Sequence, residues 1–104
     1  MTATVTHERW VDAEIHRLRG RLLQSMREHA AAENSCRHAI EVAQRQSAKF
    51  WELRATLDLA RLWCDQGKRT EASDLLSPIY GWFTEGFDTR DLKEAKGLLG
   101  DLAQ

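Results

Sequence analysis

The sequence predicts an all-α domain of stacked helical hairpins, on three observations. A single proline stands among 104 residues and β-branched runs are few, so little interrupts helix over most of the chain. Apolar residues recur at intervals of three and four almost from end to end. A shift of 40 positions also lays two stretches of helical pattern on each other.

Five helices are expected in order. The first runs from about His7 to Glu28, with Ile15, Leu18, Leu22 and Met26 on one side. The second runs from about Ala31 to Gln46, with Cys36, Ala39, Ile40 and Ala43 together. The third, about Ala48 to Gln66, carries Trp51, Leu53, Leu57, Ala60 and Cys64 on one face, and Leu59, Leu62 and Trp63 widen that face, which predicts cover from more than one side. Gly67 can take the left-handed conformation that ends a helix, and Thr70 and Glu71 open the fourth, roughly Arg69 to Phe83. The fifth spans about Arg90 to Leu102, with Leu92, Ala95, Leu99 and Leu102 in register. The expected organisation is one domain: a hairpin over 7–46, a hairpin over 48–83, and a capping helix over 89–102.

The 40-residue shift pairs "RGRLLQ" from Arg19 with "LARLWC" from Leu59, and "AENSCRHA" from Ala32 with "ASDLLSPI" from Ala72. Small residues recur where two helices must approach closely, and large apolar ones recur where they fill the space between neighbouring hairpins. This order resembles the tetratricopeptide repeat. Gly20, Leu23, Ala32, Cys36 and Ala39 match its small, large, turn and alanine positions once, and Ala60, Trp63, Gly67, Ala72, Leu76 and Ile79 match them again. The departures are the period of 40 in place of about 34, no glycine at Arg27 where the first hairpin turns, and Ile79 where an alanine belongs.

A further resemblance covers nearly the whole chain. "ERWVDAEIHRLRGRLL", "LRATLDLARLWCDQGKRTEA" and "LLSPIYGWFTEGFDTRDLKEAKGLL" are similar to the C-terminal repeat region of large bacterial signalling proteins. Those proteins join an adenylate or guanylate cyclase-like domain, or a transcription-activator domain, to a nucleotide-binding ATPase domain and then to tetratricopeptide-like repeats. The chain holds none of their catalytic parts, so the resemblance implies a non-enzymatic regulatory or protein-interaction segment.

The stretch "SPIYGWFTEGFDTRD" from Ser77 reads as a helix end, a turn and a cap. Pro78 is expected to kink the fourth helix or end its regular part, Gly86 to break the chain, and Asp88 or Thr89 to cap the last helix, with Asp91 in its first turn. Tyr80, Trp82, Phe83 and Phe87 would then pin that helix over the last hairpin. The functional alternative, an aromatic pocket, lacks convergent polar groups in the sequence.

Composition narrows the function. Fifteen Lys and Arg against sixteen Asp and Glu give no global attraction to nucleic acid or anionic membrane. Two cysteines, Cys36 and Cys64, are too few for a disulfide scaffold and point to a reducing cytoplasm. No apolar run approaches the roughly 18 residues that span a bilayer. The histidines His7, His16, His29 and His38 and the two cysteines show no metal-ligand spacing, and no phosphate loop or nucleophile motif occurs, so no cofactor is implied.

One local feature stands out. Carried over from the repeat alignment, the inner-groove positions are Glu14, Arg17, Arg21, Gln24 and Ser25, then Arg54, Leu57, Arg61, Cys64 and Asp65. Four arginines would share that surface, which suits an acidic peptide or the acidic face of a neighbouring domain, with Glu14 and Asp65 partly neutralising it. The first helix also offers Trp10, Val11, Ile15 and Leu18 with nothing earlier to cover them. Self-association or further repeats upstream are the expected remedies, and a standalone adaptor that dimerises through this helix is the second functional reading.

Overall fold

The computed structural model describes residues 2–87 and 89–103, with side-chain surroundings from residue 14 onward. Trp10, Val11 and His7 therefore fall outside the described side chains, and Asp88 outside the described residues. The described chain is helical and forms no strand. Its helices are α1 (Thr2–Ser25), α2 (His29–Arg45), α3 (Lys49–Asp65), α4 (Arg69–Trp82) and α5 (Arg90–Leu102).

The first three junctions share one geometry. At the end of α1 the Glu28 amide donates to the Leu23 carbonyl at 2.8 Å and the Arg27 amide to Gln24 at 3.0 Å. Ala48 and Ser47 do the same to Ala43 and Gln44, and Lys68 and Gly67 to Trp63 and Cys64. This is the Schellman closure, which needs one left-handed residue. That residue is Arg27 (φ 63°), Ser47 (φ 54°) and Gly67 (φ 82°) in turn. The missing glycine at Arg27 is thus borne by a side chain in an uncommon conformation, and the 40-residue repeat resolves into a unit of half that length.

Neighbouring helices run antiparallel. His16 meets His38 and Gly20 meets Cys36 between α1 and α2, while Gln44 reaches Glu52 and Trp63 reaches Glu33 between α2 and α3. Alternate helices run parallel, since Arg17 reaches Asp58, Gln24 reaches Asp65, and Arg54 reaches Asp91. The chain therefore zigzags, with α1, α3 and α5 side by side.

Two apolar clusters meet on α3. Leu53, Leu57 and Ala60 pack with Ala72, Leu76, Ile79 and Phe83 and with Leu92 and Ala95 of α5. Leu59 and Leu62 pack instead with Ala32 and Cys36 of α2. The wide apolar face of α3 read from the sequence is the part covered from two sides.

At the last junction α4 ends close to the expected Phe83, while the cap of α5 departs from expectation. α4 continues through Pro78 to Trp82; Pro78 is exposed, as is Asp74, whose carbonyl loses its amide partner, so the break in the hydrogen-bond ladder costs little. Thr89 occupies the position before α5, but its hydroxyl donates back to the Gly86 carbonyl at 2.7 Å and makes no cap bond to the helix. Gly86 does take a positive φ of 79°, and Asp91 lies in the first turn of α5.

Candidate functional site

The parallel helices α1, α3 and α5 hold a polar groove of about 190 Å³, lined by Arg17, Arg21, Arg54, Leu57, Asp58, Arg61, Arg90, Asp91 and Glu94. Residues three and four apart share a helix face, so Arg54, Asp58 and Arg61 of α3 rise from one stripe, with buried Leu57 as the floor. Arg17 and Arg21 stand on α1, and Arg90, Asp91 and Glu94 on α5.

Charges alternate around this groove. Arg17 bonds Glu14 on its own helix and Asp58 on α3 at 3.1 Å. Arg61 reaches Asp58 at 3.6 Å and Glu94 at 2.7 Å, and Arg90 also takes Glu94. Arg54 spans from Glu14 at 3.3 Å to Asp91 at 3.1 Å. The pairs form one chain over three helices, running from Asp91 through Arg54, Glu14, Arg17, Asp58, Arg61 and Glu94 to Arg90. Arg21 makes no hydrogen bond or ion pair among the described residues and is exposed at the groove's edge.

Ionisation follows from these surroundings. Burial lifts the Asp58 carboxyl above its ordinary range and outweighs the pull of Arg17, Arg21 and Arg61. The hydrogen bond from Arg61, aided by Arg90, holds Glu94 below its ordinary range. Arg17 is held more firmly protonated than usual, chiefly by its bond to Glu14.

The four arginines expected in the groove, Arg17, Arg21, Arg54 and Arg61, all line it together with Leu57. Gln24, Ser25 and Asp65 line an adjoining hollow that shares Arg21, Asp58 and Arg61. The neutralisation differs from expectation. Glu14 does pair with arginine, but among the described residues Asp65 accepts from Gln24, at 3.5 Å, and from no arginine. Asp58, Asp91 and Glu94, which the sequence did not single out, neutralise the groove alongside Glu14. Asp58 was detectable, since it lies four after Arg54 and three before Arg61; the α5 residues were obscured because that helix was read only as a cap. Cys64 is half-buried against the α3–α4 cluster.

The remaining repeat positions lie in the packing. Gly20 faces Cys36, and a Cβ there would stand 2.9 Å from the Cys36 sulfur. Ala32, Ala39, Ala60, Ala72, Leu76 and Ile79 are buried, and Leu23 is half-buried against the α2–α3 cluster. Trp63 touches both clusters and donates its Nε1–H to Glu33 at 2.9 Å, which holds that carboxyl below its ordinary range.

Of the aromatic residues near the last turn, Phe83 is buried and Tyr80 half-buried, with Tyr80 near Phe87 at 5.9 Å between ring centres. Trp82 is exposed and meets Phe83 edge to face at 5.2 Å between ring centres. It borders an open cleft with Phe50, Phe83 and Lys49, whose ammonium sits 5.3 Å from the Trp82 ring centre. The structure also brings His16 and His38 edge to face at 4.2 Å, a pairing across α1 and α2 with no signal in the local sequence. Among the described residues no group of three metal-ligating side chains converges, and no helix is long and apolar enough to cross a membrane. Comparison with protein-family models, with curated proteins and with solved structures returns no match.

Proposed function

We propose that the chain is a non-catalytic protein-interaction module of the tetratricopeptide-like kind, and that its α1–α3–α5 groove takes an acidic peptide segment. The observation that carries this reading is the imbalance at the groove. Five arginines line it against Asp58, Asp91 and Glu94, with Glu14 as a fourth carboxylate on Arg17 and Arg54, and all four carboxylates are engaged internally while Arg21 makes no ion pair among the described residues. An incoming carboxylate finds in Arg21 a fork with no hydrogen bond or ion pair among the described residues, and in Arg61 a neighbour already held in place. The resemblance of "LLSPIYGWFTEGFDTRDLKEAKGLL" and its companion stretches to signalling proteins adds a regulatory setting. There the segment belongs to a domain coupled to a cyclase-like or transcription-activator domain, in the cytoplasm.

Anisotropy of a fluorescein-labelled hexaglutamate peptide tests the groove. Arg21→Glu with Arg61→Glu is expected to weaken binding at least about tenfold, the size of one or two lost charge-assisted contacts. Arg19→Glu, on α1 but away from the groove, is the control. Equal losses from both changes, or none, would remove the groove reading.

A second reading is a small adaptor that dimerises through α1. The observation favouring it is the exposure of Ile15, Leu18, Leu22 and Met26 along one side of that helix.

A further inference from the structure

The open cleft beside the end of α4 is the aromatic pocket for which the sequence shows no convergent polar groups, and one class of ligand needs none. We propose that this cleft binds a quaternary ammonium group, such as the trimethylammonium of choline.

Three rings line it. Phe83, buried just after α4, meets Phe50 of α3 at 4.9 Å between ring centres with the planes at 54°, and meets Trp82 at 5.2 Å with the planes at 85°. Rings set at such angles bound a corner and not a flat stack. Phe50 and Trp82 are exposed, and with Phe83 they border a space of about 570 Å³.

A cation already stands in that corner. The Lys49 ammonium lies 5.3 Å from the Trp82 ring centre, inside the roughly 6 Å over which an aromatic face attracts positive charge. Lys49 is also 3.4 Å from the Glu52 carboxylate, a residue buried at the start of α3 and bonded by Gln44 at 3.2 Å. The lysine therefore keeps its ion pair when it leaves the ring, and its place over Trp82 is open to exchange. Glu85 adds a carboxylate to the same cleft.

The surroundings select a cation without N–H groups. A primary ammonium or a guanidinium that gives up water needs an acceptor for each donor, and the side chains offered here are Glu85 with the hydroxyls of Ser47 and Thr84. A quaternary ammonium carries no donor, and its stabilisation comes from ring faces and apolar contact. An anion would meet the negative faces of the rings. Because two of the three rings are exposed, binding is expected to be weak, with a dissociation constant of about 0.5–5 mM.

Saturation transfer from the protein to the choline methyl protons, titrated against matched sodium chloride, reads the site in the unaltered chain and in variants alike. Choline is expected to bind saturably, and dimethylbutanol, its uncharged carbon isostere, at least about tenfold more weakly. Trp82→Leu and Phe50→Leu change exposed side chains, so helix content by circular dichroism should hold while choline binding falls at least about fivefold. Lys49→Met clears the place over the ring and should tighten binding about threefold. Equal binding of choline and its isostere overturns the inference, and so does choline binding unchanged in both ring variants. A trimethylammonium group also heads a common lipid, and flotation with phosphatidylcholine vesicles separates the sources. Attachment that Trp82→Leu abolishes assigns the site to the headgroup; choline binding without attachment assigns it to the free cation.

Discussion

Asp58 of α3 accepts from Arg17 of α1 at 3.1 Å, joining residues 41 positions apart, and both side chains are nearly covered. Burial nevertheless lifts the Asp58 carboxyl above its ordinary value of 3.8. A carboxyl raised in this way binds more protons folded than unfolded, so its contribution to stability falls as pH rises from 3.8 through the raised value. Asp58→Asn, which mimics the protonated form, is expected to cost less than about 1 kcal/mol at pH 7, while Arg17→Met strands a covered carboxylate and costs about 2–3 kcal/mol. Urea unfolding at pH 4 and pH 7 checks both: the unaltered chain should gain on Asp58→Asn at the lower pH, and equal losses for the two variants would contradict the assignment.

The Trp63 indole works in the opposite sense. Its bond to Glu33 depresses that carboxyl from an ordinary 4.5, so the stability gained is present above that value and lost as pH falls through the lowered one. Trp63→Phe should cost about 1 kcal/mol at neutral pH through the hydrogen bond, and the deficit should shrink on acidification. A deficit independent of pH would assign the loss to packing alone.

Glycines on the same fold respond with opposite sign. Gly20→Ala places a methyl 2.9 Å from the Cys36 sulfur and 3.2 Å from the Ala32 carbonyl oxygen. Overpacking of about 1–3 kcal/mol then exceeds the gain of about 1 kcal/mol in helix propensity. Gly97→Ala meets nothing within 4 Å and should stabilise by about 0.5–1 kcal/mol. Thermal midpoints moving the same way in both variants would contradict the close α1–α2 approach.

The three matching turns predict a further pair of signs. Arg27→Gly and Ser47→Gly relieve left-handed side-chain residues and should each stabilise by about 0.5–1 kcal/mol. Gly67→Ala should lose about 1 kcal/mol. Chemical denaturation resolves these differences, and loss in all three would show that the arginine and serine side chains contribute contacts of their own.

Much of this architecture was legible in the sequence because it rests on local periodicity. α5 begins and ends where the spacing of Leu92, Ala95, Leu99 and Leu102 places it, and the junction at Gly67 follows from glycine alone. The turn at Ser47 carries no glycine, and its place followed from the gap between the periodic segments that end at Gln46 and begin at Ala48. The arginines of the groove were visible because they fall on the inner positions of α1 and α3, although the 40-residue shift relates only Arg21 to Arg61. Their counter-charges were not, because Asp91 and Glu94 meet Arg54 and Arg61 only once α5 has folded back beside α3. The reach of Thr89 toward Gly86 likewise depends on a backbone turn that composition does not encode.

The close contact of Gly20 with Cys36 also makes time measurable. Cys36 is 3% exposed and burial pushes its thiol up to about 11, so a thiol reagent finds neither access nor thiolate while α1 is seated. Cys64, half-buried and remote from that contact, reacts on its own schedule. When α1 lifts from α2, Cys36 becomes reachable while α3 and α4 remain closed. Its labelling rate under native conditions is thus a built-in clock for how often the first helix leaves, separate from how often the whole chain unfolds.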